Sequence, residues 1–195
     1  NVKKANGYLY NINLRYYNDA VGYVQTGKLI KAENSYIKYK DNFTTYLSIT
    51  KNFKEKDIEF YSALGGAWFN KNDQTSPDNT DSIYAKSIFY FEKVLALDSM
   101  NFIANKGIGI AYYNQGASLV DNMNPFASDL EEINRVQNIS VALFKKGEPY
   151  LLKVYGMNPE DIEIVEGLTA EDKVKVWNIT EPFKKKAEEE KEENK

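Results

Sequence analysis

The stretch Phe91-Glu-Lys-Val-Leu-Ala-Leu-Asp98, followed by Asn101 and then by Ala104-Asn-Lys-Gly-Ile-Gly-Ile-Ala-Tyr-Tyr-Asn-Gln-Gly116, decides the fold of this chain. Ile88, Phe91 and Leu95 recur at helical spacing before Asp98, and Ala104, Ile108 and Tyr112 recur at the same spacing after Asn101. Each segment therefore carries one apolar face, as expected of two consecutive helices packed through it. In the second helix a small residue, Gly109, precedes an aromatic, Tyr112, by three positions, and Gly116 follows.

The same order returns elsewhere. Tyr16, Ala20, Tyr23, Gly27, Ala32 and Tyr36 form an uninterrupted copy that begins near Asn13, with Ala20 in the small-residue place. Leu64-Gly65-Gly66-Ala67-Trp68 forms another, and about ten extra polar residues, within Asp73 to Ser82, separate it from a second helix starting near Ile83. From Ala20 to Gly65 is 45 residues, from Gly65 to Gly109 is 44, and from Gly109 to Thr169 is 60. Self-similarity at such spacing marks a repeat architecture, here with the period stretched by insertions.

The ordered copies resemble the tetratricopeptide repeat (TPR), in which an aromatic residue and a run ending in Leu-Asp close one helix. A Gly-x-x-Tyr pattern then builds the next. The resemblance covers roughly Asn13 to Leu168 and implies an all-α fold, a TPR-like α-solenoid of antiparallel helix pairs with inserted loops and one enlarged repeat. The expected organisation is a helical domain over 1–180, with units near 13–45, 58–101 and 102–161 and a half-repeat or capping helix from Ile162, whose Val165 and Leu168 face inward. A charged tail occupies 181–195.

Side-chain size explains why such copies make hairpins. Small residues at Ala20, Gly65 and Gly109 let paired helices approach, and Tyr23, Trp68 and Tyr112 fill the space above each contact. Gly27 and Gly116 are expected to supply the left-handed conformation that ends the first helix of a pair, and Asp81-Ser82 to cap the helix after the insert. Beyond Asn124-Pro125, Ser128 and Glu131 read as a capping box opening a helix from Asp129 to Lys146. Gly147-Glu148-Pro149 should then kink or restart it, and the unit's second helix is expected over Pro149 to Pro159. The enlarged unit, with Pro149-Tyr-Leu near the start of its last helical stretch, resembles those in TPR proteins of bacterial envelopes.

Composition removes several classes of function. The 195 residues are 43% hydrophobic, enough to bury a continuous core. The 25 basic residues are scattered against 28 acidic ones, for a net charge of −3, so no basic stripe suggests nucleic acid as a partner. No window approaches the roughly 20 apolar residues of a membrane span, so the folded domain is expected to make no membrane contact. No N-terminal segment has the order of a signal peptide. The chain opens on Asn1, which reads as a fragment or processed form whose targeting signal or membrane anchor stood upstream. By resemblance the expected location is the periplasm, free or membrane-anchored and facing it, with the cytoplasm as the alternative. The absence of cysteine fits either redox compartment.

With no histidine and no cysteine, the commonest general base, the commonest zinc ligands and the thiol nucleophile are missing. Neighbouring carboxylates remain at Asp57 and Glu59, Glu131-Glu132 and Glu160-Asp161, where helix starts account for them. Gly65-Gly66 and Gly107-x-Gly109 complete no phosphate loop, since no strand precedes them and no lysine closes them. Asp73, Asp78 and Asp81 lack the spacing, glycine and glutamate of a calcium loop. No enzyme, cofactor or metal is expected. The tail from Lys184 to Lys195 has no apolar face and reads as solvated.

What remains is a surface. Stacked helix pairs line a groove with the first helix of each pair, and such grooves take peptides or helices of partner proteins. By resemblance the groove-facing residues include Tyr17, Gln25, Phe69, Asn70, Lys106, Tyr113 and Asn114, with Val21, Val24, Ser62 and Ile110 beside them; alternatively, Phe69 and Ile110 pack against the inserted helix and fill the groove. The family's carboxylate-binding groove is approached only by Lys106, Asn70 and Asn114. The expected function is a protein–protein interaction scaffold, with a glycan or small-ligand module as the alternative because 14% of residues are aromatic.

Overall fold

The structure, a computed structural model, describes residues 2–45, 52–71, 80–124 and 129–159. The half-repeat from Ile162, the tail, Glu160-Asp161, Ser128 and insert residues 73–79 lie outside them. The chain divides into two compact units, Asn1–Lys153 and Val154–Lys195. Among the described residues there are six helices and no strand: α1 (Val2–Gln25), α2 (Leu29–Thr45), α3 (Lys54–Lys71), α4 (Thr80–Leu95), α5 (Phe102–Asp121) and α6 (Leu130–Met157). The protein is all-α.

Consecutive helices pair antiparallel. Tyr10, Asn13 and Tyr17 of α1 meet Phe43, Tyr39 and Tyr36 of α2 in descending order. Tyr61, Gly65 and Phe69 of α3 likewise meet Tyr90, Ser87 and Tyr84 of α4. Tyr113 and Gly116 of α5 meet Phe144 and Ser140 of α6. Between pairs, α3 packs on both α1 and α2, and α5 on both α3 and α4.

Local chemistry sets the helix ends. Gly27, at φ 69°, ends α1: its N–H donates to the Val24 carbonyl and the Lys28 N–H to that of Tyr23, the two bonds of a Schellman close. Between α4 and α5, Asn101 caps the new helix, its side-chain oxygen accepting the Ala104 N–H at 3.1 Å. Asp98 tightens that turn by accepting the N–H of Met100 at 3.2 Å.

Several expected ends lie elsewhere. Gly116 ends nothing: it is buried inside α5, and a Cβ there would stand 2.8 Å from the Phe144 ring, so its smallness serves contact with α6 rather than a turn. Helix α4 already begins at Thr80, which places Asp81 and Ser82 in its first turn rather than at its cap. Asp129 caps α6, accepting the Glu132 N–H at 2.8 Å, and the Ser128 of the expected capping box lies outside the described residues. Pro149 sits within α6, which runs unbroken through it. Pro149 and Lys145 are both exposed, so water can satisfy the Lys145 carbonyl that proline leaves without its helical donor. The inserted helix and the expected second helix are thus one element.

Glycines set the closest approaches. The Phe91 ring lies between α3 and α5, with a Cβ on Gly65 falling 2.9 Å from one edge and a Cβ on Gly107 closer still to the other. On the α6 side, a Cβ on Gly109 would meet Leu151 at 2.5 Å, and one on Gly147 would meet the Gly109 carbonyl oxygen at 2.9 Å. The ring is met at both edges, and Phe91 and its neighbours Val94, Ala104, Ile108 and Ala111 are buried, so an added methyl group would have to displace packed atoms. Gly107→Ala should destabilise the chain by about 1–3 kcal/mol despite better helix propensity. Gly66→Ala, whose Cβ would meet nothing within 4 Å, should be neutral or stabilising by up to about 1 kcal/mol. Thermal melts of the two variants beside the parent chain measure both.

Candidate partner-binding site

The first helix of each pair carries the residues expected to face a groove, and the structure separates them. Tyr17 is taken up in packing. Its ring lies 5.2 Å from that of Tyr39 and 6.2 Å from that of Tyr36, and its hydroxyl accepts a hydrogen bond from the Lys56 ammonium at 3.1 Å. Gln25 is exposed as the last residue of α1, and Asn70 is exposed near the end of α3. Lys106, Ile110, Tyr113 and Asn114 recur at i, i+4, i+7 and i+8 along one face of α5. Tyr113, 40% exposed, borders α6 through its contact with Phe144 at 5.1 Å.

Two of the seven expected residues converge. Phe69 and Lys106, together with Ile110, line an open hollow of about 210 Å³ where α3, α4 and α5 meet. Gly66, Phe91, Phe102, Ile103 and Gly107 complete it. No residue of α6 is in its lining, so the inserted helix does not fill it; Phe69 instead leans on Tyr84, ring to ring at 5.6 Å.

Gly66, Phe102 and Ile103 escaped the sequence reading. Ile103 carried a signal, because it falls off the buried stripe of Ala104, Ile108 and Ala111 and is 59% exposed. Gly66 carried none of its own, since two adjacent glycines do not reveal which one answers a packing need.

Lys106 is the one ionisable residue in that lining, with its ammonium 5.9 Å from the centre of the Phe102 ring. Among the described residues no group of three acidic, histidine or cysteine side chains is placed to hold a metal. No helix among them is long and apolar enough to cross a membrane.

The stronger electrostatics lie where the second pair docks on α2. Asp57 accepts the Tyr36 hydroxyl at 2.9 Å and the Lys40 ammonium through both oxygens at 2.8 Å. Glu33 accepts the Tyr90 hydroxyl at 2.7 Å and pairs with Lys93 at 3.4 Å. The Lys93 ammonium also stands 4.5 Å from the Phe89 ring centre and 4.7 Å from that of Tyr61. None of these residues lines the hollow.

Burial, with Asp57 and Glu33 nearby, pushes the Tyr61 hydroxyl from 10.0 up to about 12. Burial and the hydrogen bond to a carboxylate also push Tyr36 and Tyr90 upward. A raised folded-state value favours the neutral phenol in the fold. Its stabilising effect is therefore present below about pH 10 and lost as pH climbs through the folded value. In an alkaline titration followed by phenolate absorbance, these three tyrosines should ionise only above pH 10, together with loss of helical circular dichroism. Early ionisation of all fifteen tyrosines with the fold intact would contradict it.

Comparison of the chain with protein-family models, with curated proteins and with solved structures finds no match to any of them.

Proposed function

We propose that the chain is a TPR-type α-solenoid scaffold that binds a partner protein through the face shared by α3 and α5. One observation carries this reading. The apolar hollow between these helices stays open although α3 and α5 close on the buried ring of Phe91 from both edges through Gly65 and Gly107. Phe69, Ile103 and Ile110 are left lining this cavity, and an apolar centre of that kind is a feature of recognition surfaces. The absent histidine and cysteine support a binding role over a catalytic one. The resemblance of the enlarged third unit to TPR proteins of bacterial envelopes supports a periplasmic setting, with any membrane attachment made outside the folded helices.

The glycan reading has less support. Sugar binding needs an aromatic face beside several hydrogen-bonding side chains, and the hollow's lining offers only Lys106.

A photo-crosslinking amino acid at Asn70 or Asn114 tests the proposal in cells of the native host. One discrete protein adduct is expected from both positions, reduced at least tenfold by Ile110→Glu in a chain whose circular dichroism is unchanged. An equal adduct from a crosslinker at exposed Arg135 on α6, unaffected by Ile110→Glu, would place binding on another face.

A further inference from the structure

We propose that α1 pairs with α1 of a second copy of this chain, antiparallel, about a two-fold axis level with Tyr17. The face concerned is the stripe Tyr8, Ile12, Arg15, Asp19, Gly22 and Thr26, whose spacings of 4, 3, 4, 3 and 4 residues are the alternation that keeps one line of side chains along a two-helix seam. It lies on the side of α1 turned away from Asn13 and Ala20, which are buried towards α2. Tyr8 is 69% exposed and Ile12 51%, and Arg15, Asp19 and Thr26 are exposed as well. A Cβ on Gly22 would meet nothing within 4 Å. Exposure alone names no occupant, but the order of the six residues does.

The spacings read the same in both directions, so turning the stripe about its midpoint exchanges Tyr8 with Thr26, Ile12 with Gly22 and Arg15 with Asp19. Each exchange brings opposites together, large against small or cation against anion. An antiparallel copy therefore sets Ile12 over the bare helix surface at Gly22 of its mate and Arg15 beside the mate's Asp19, and the two-fold axis makes every contact twice. A parallel copy would instead set arginine against arginine and aspartate against aspartate, which repel. Both charges are available for the contact. Neither Arg15 nor Asp19 takes part in an ion pair or a side-chain hydrogen bond among the described residues, and a cation four residues before an anion is the less favourable order for a pair within one helix. Asn11, Asn18 and Gln25 are exposed beside the stripe and give the seam a polar rim. One helix seam of this length stands at the low end of interface sizes, so the association is weak and reversible.

Sedimentation equilibrium of the full chain from about 1 μM to about 1 mM follows the association directly. The parent should pass from monomer to dimer within that range. Arg15→Asp and Asp19→Arg each bring like charges together across the seam and should weaken the dimer at least tenfold, with helical circular dichroism unchanged because both positions are exposed. The double variant Arg15→Asp/Asp19→Arg restores opposite charges at the parent's net charge and should dimerise as the parent does. An equimolar mixture of the two single variants should form a one-to-one heterodimer. Ile12→Ser should also weaken the dimer at least tenfold. A parent chain that stays monomeric up to the highest concentration would overturn the pairing, and so would a dimer that both charge reversals leave as tight as before. Single reversals that weaken association with no recovery in the double variant would trace the loss to charge in general and overturn it too. None of the six residues lines the hollow between α3 and α5, so failure here leaves the partner-binding reading standing.

Discussion

The ring of Phe91 joins three helices at once, and the middle of the molecule depends on it. One edge lies where a Cβ of Gly65 would be and the other where a Cβ of Gly107 would be, so α3 and α5 approach α4 only because both positions lack a side chain. Dispersion contacts of this kind are individually small and collectively decisive, and a gap of roughly 0.5–1 Å already forfeits about a quarter to a half of each. The ring also forms part of the hollow's wall. Helix packing and the wall of the hollow therefore share one side chain, and the position of Ile110 and Lys106 relative to Phe69 depends on how Phe91 seats.

A second constraint is polar and acts between the first two hairpins. Asp57 holds Lys40 and Tyr36 while Glu33 holds Tyr90 and Lys93, which ties α2 to α3 and to α4 through separate carboxylates. Partly buried pairs of this sort return little net stability, since desolvation offsets most of the attraction. Their geometry is demanding, however, because each carboxylate must meet a tyrosine and a lysine together. Against the apolar contact of Tyr36 stacked on Phe60 at 3.9 Å, which would tolerate sliding, they select one docking position.

The sequence was most legible where a residue's neighbours are local. Gly27 as a helix stop and the turn from Asp98 to Asn101 are determined within a few residues, and both stand as read. The small residues Ala20, Gly65 and Gly109 were legible through their spacing; the first is fully buried, and the other two lie against a neighbouring helix. Gly116 misled because its reason for being small is Phe144, on a helix reached only after a long connection; the local pattern of a turn glycine matched by accident. Tyr17 shows a similar gap: its position on α1 indicates a face but not that Lys56, 39 residues on, donates to its hydroxyl. The hollow was half legible, in Phe69, Lys106 and Ile110. Empty space leaves no mark on a sequence except a glycine that nothing else explains.

Each hairpin contains one buried side chain that bonds to the main chain across the pair: Asn13 to the Tyr39 carbonyl, Ser87 to that of Gly65 and Ser140 to that of Gly116. A helix that slid along its mate by one turn would strand these groups in an apolar setting, so axial alignment is fixed from inside the pair rather than by the connection that joins its ends. The linkers are thereby released from any duty in alignment. Three residues suffice between α1 and α2, and eight stand between α5 and α6, with the pairing equally well fixed. Insertions can accumulate at such junctions without disturbing the helices they separate, and the uneven lengths of the connections are in keeping with that freedom.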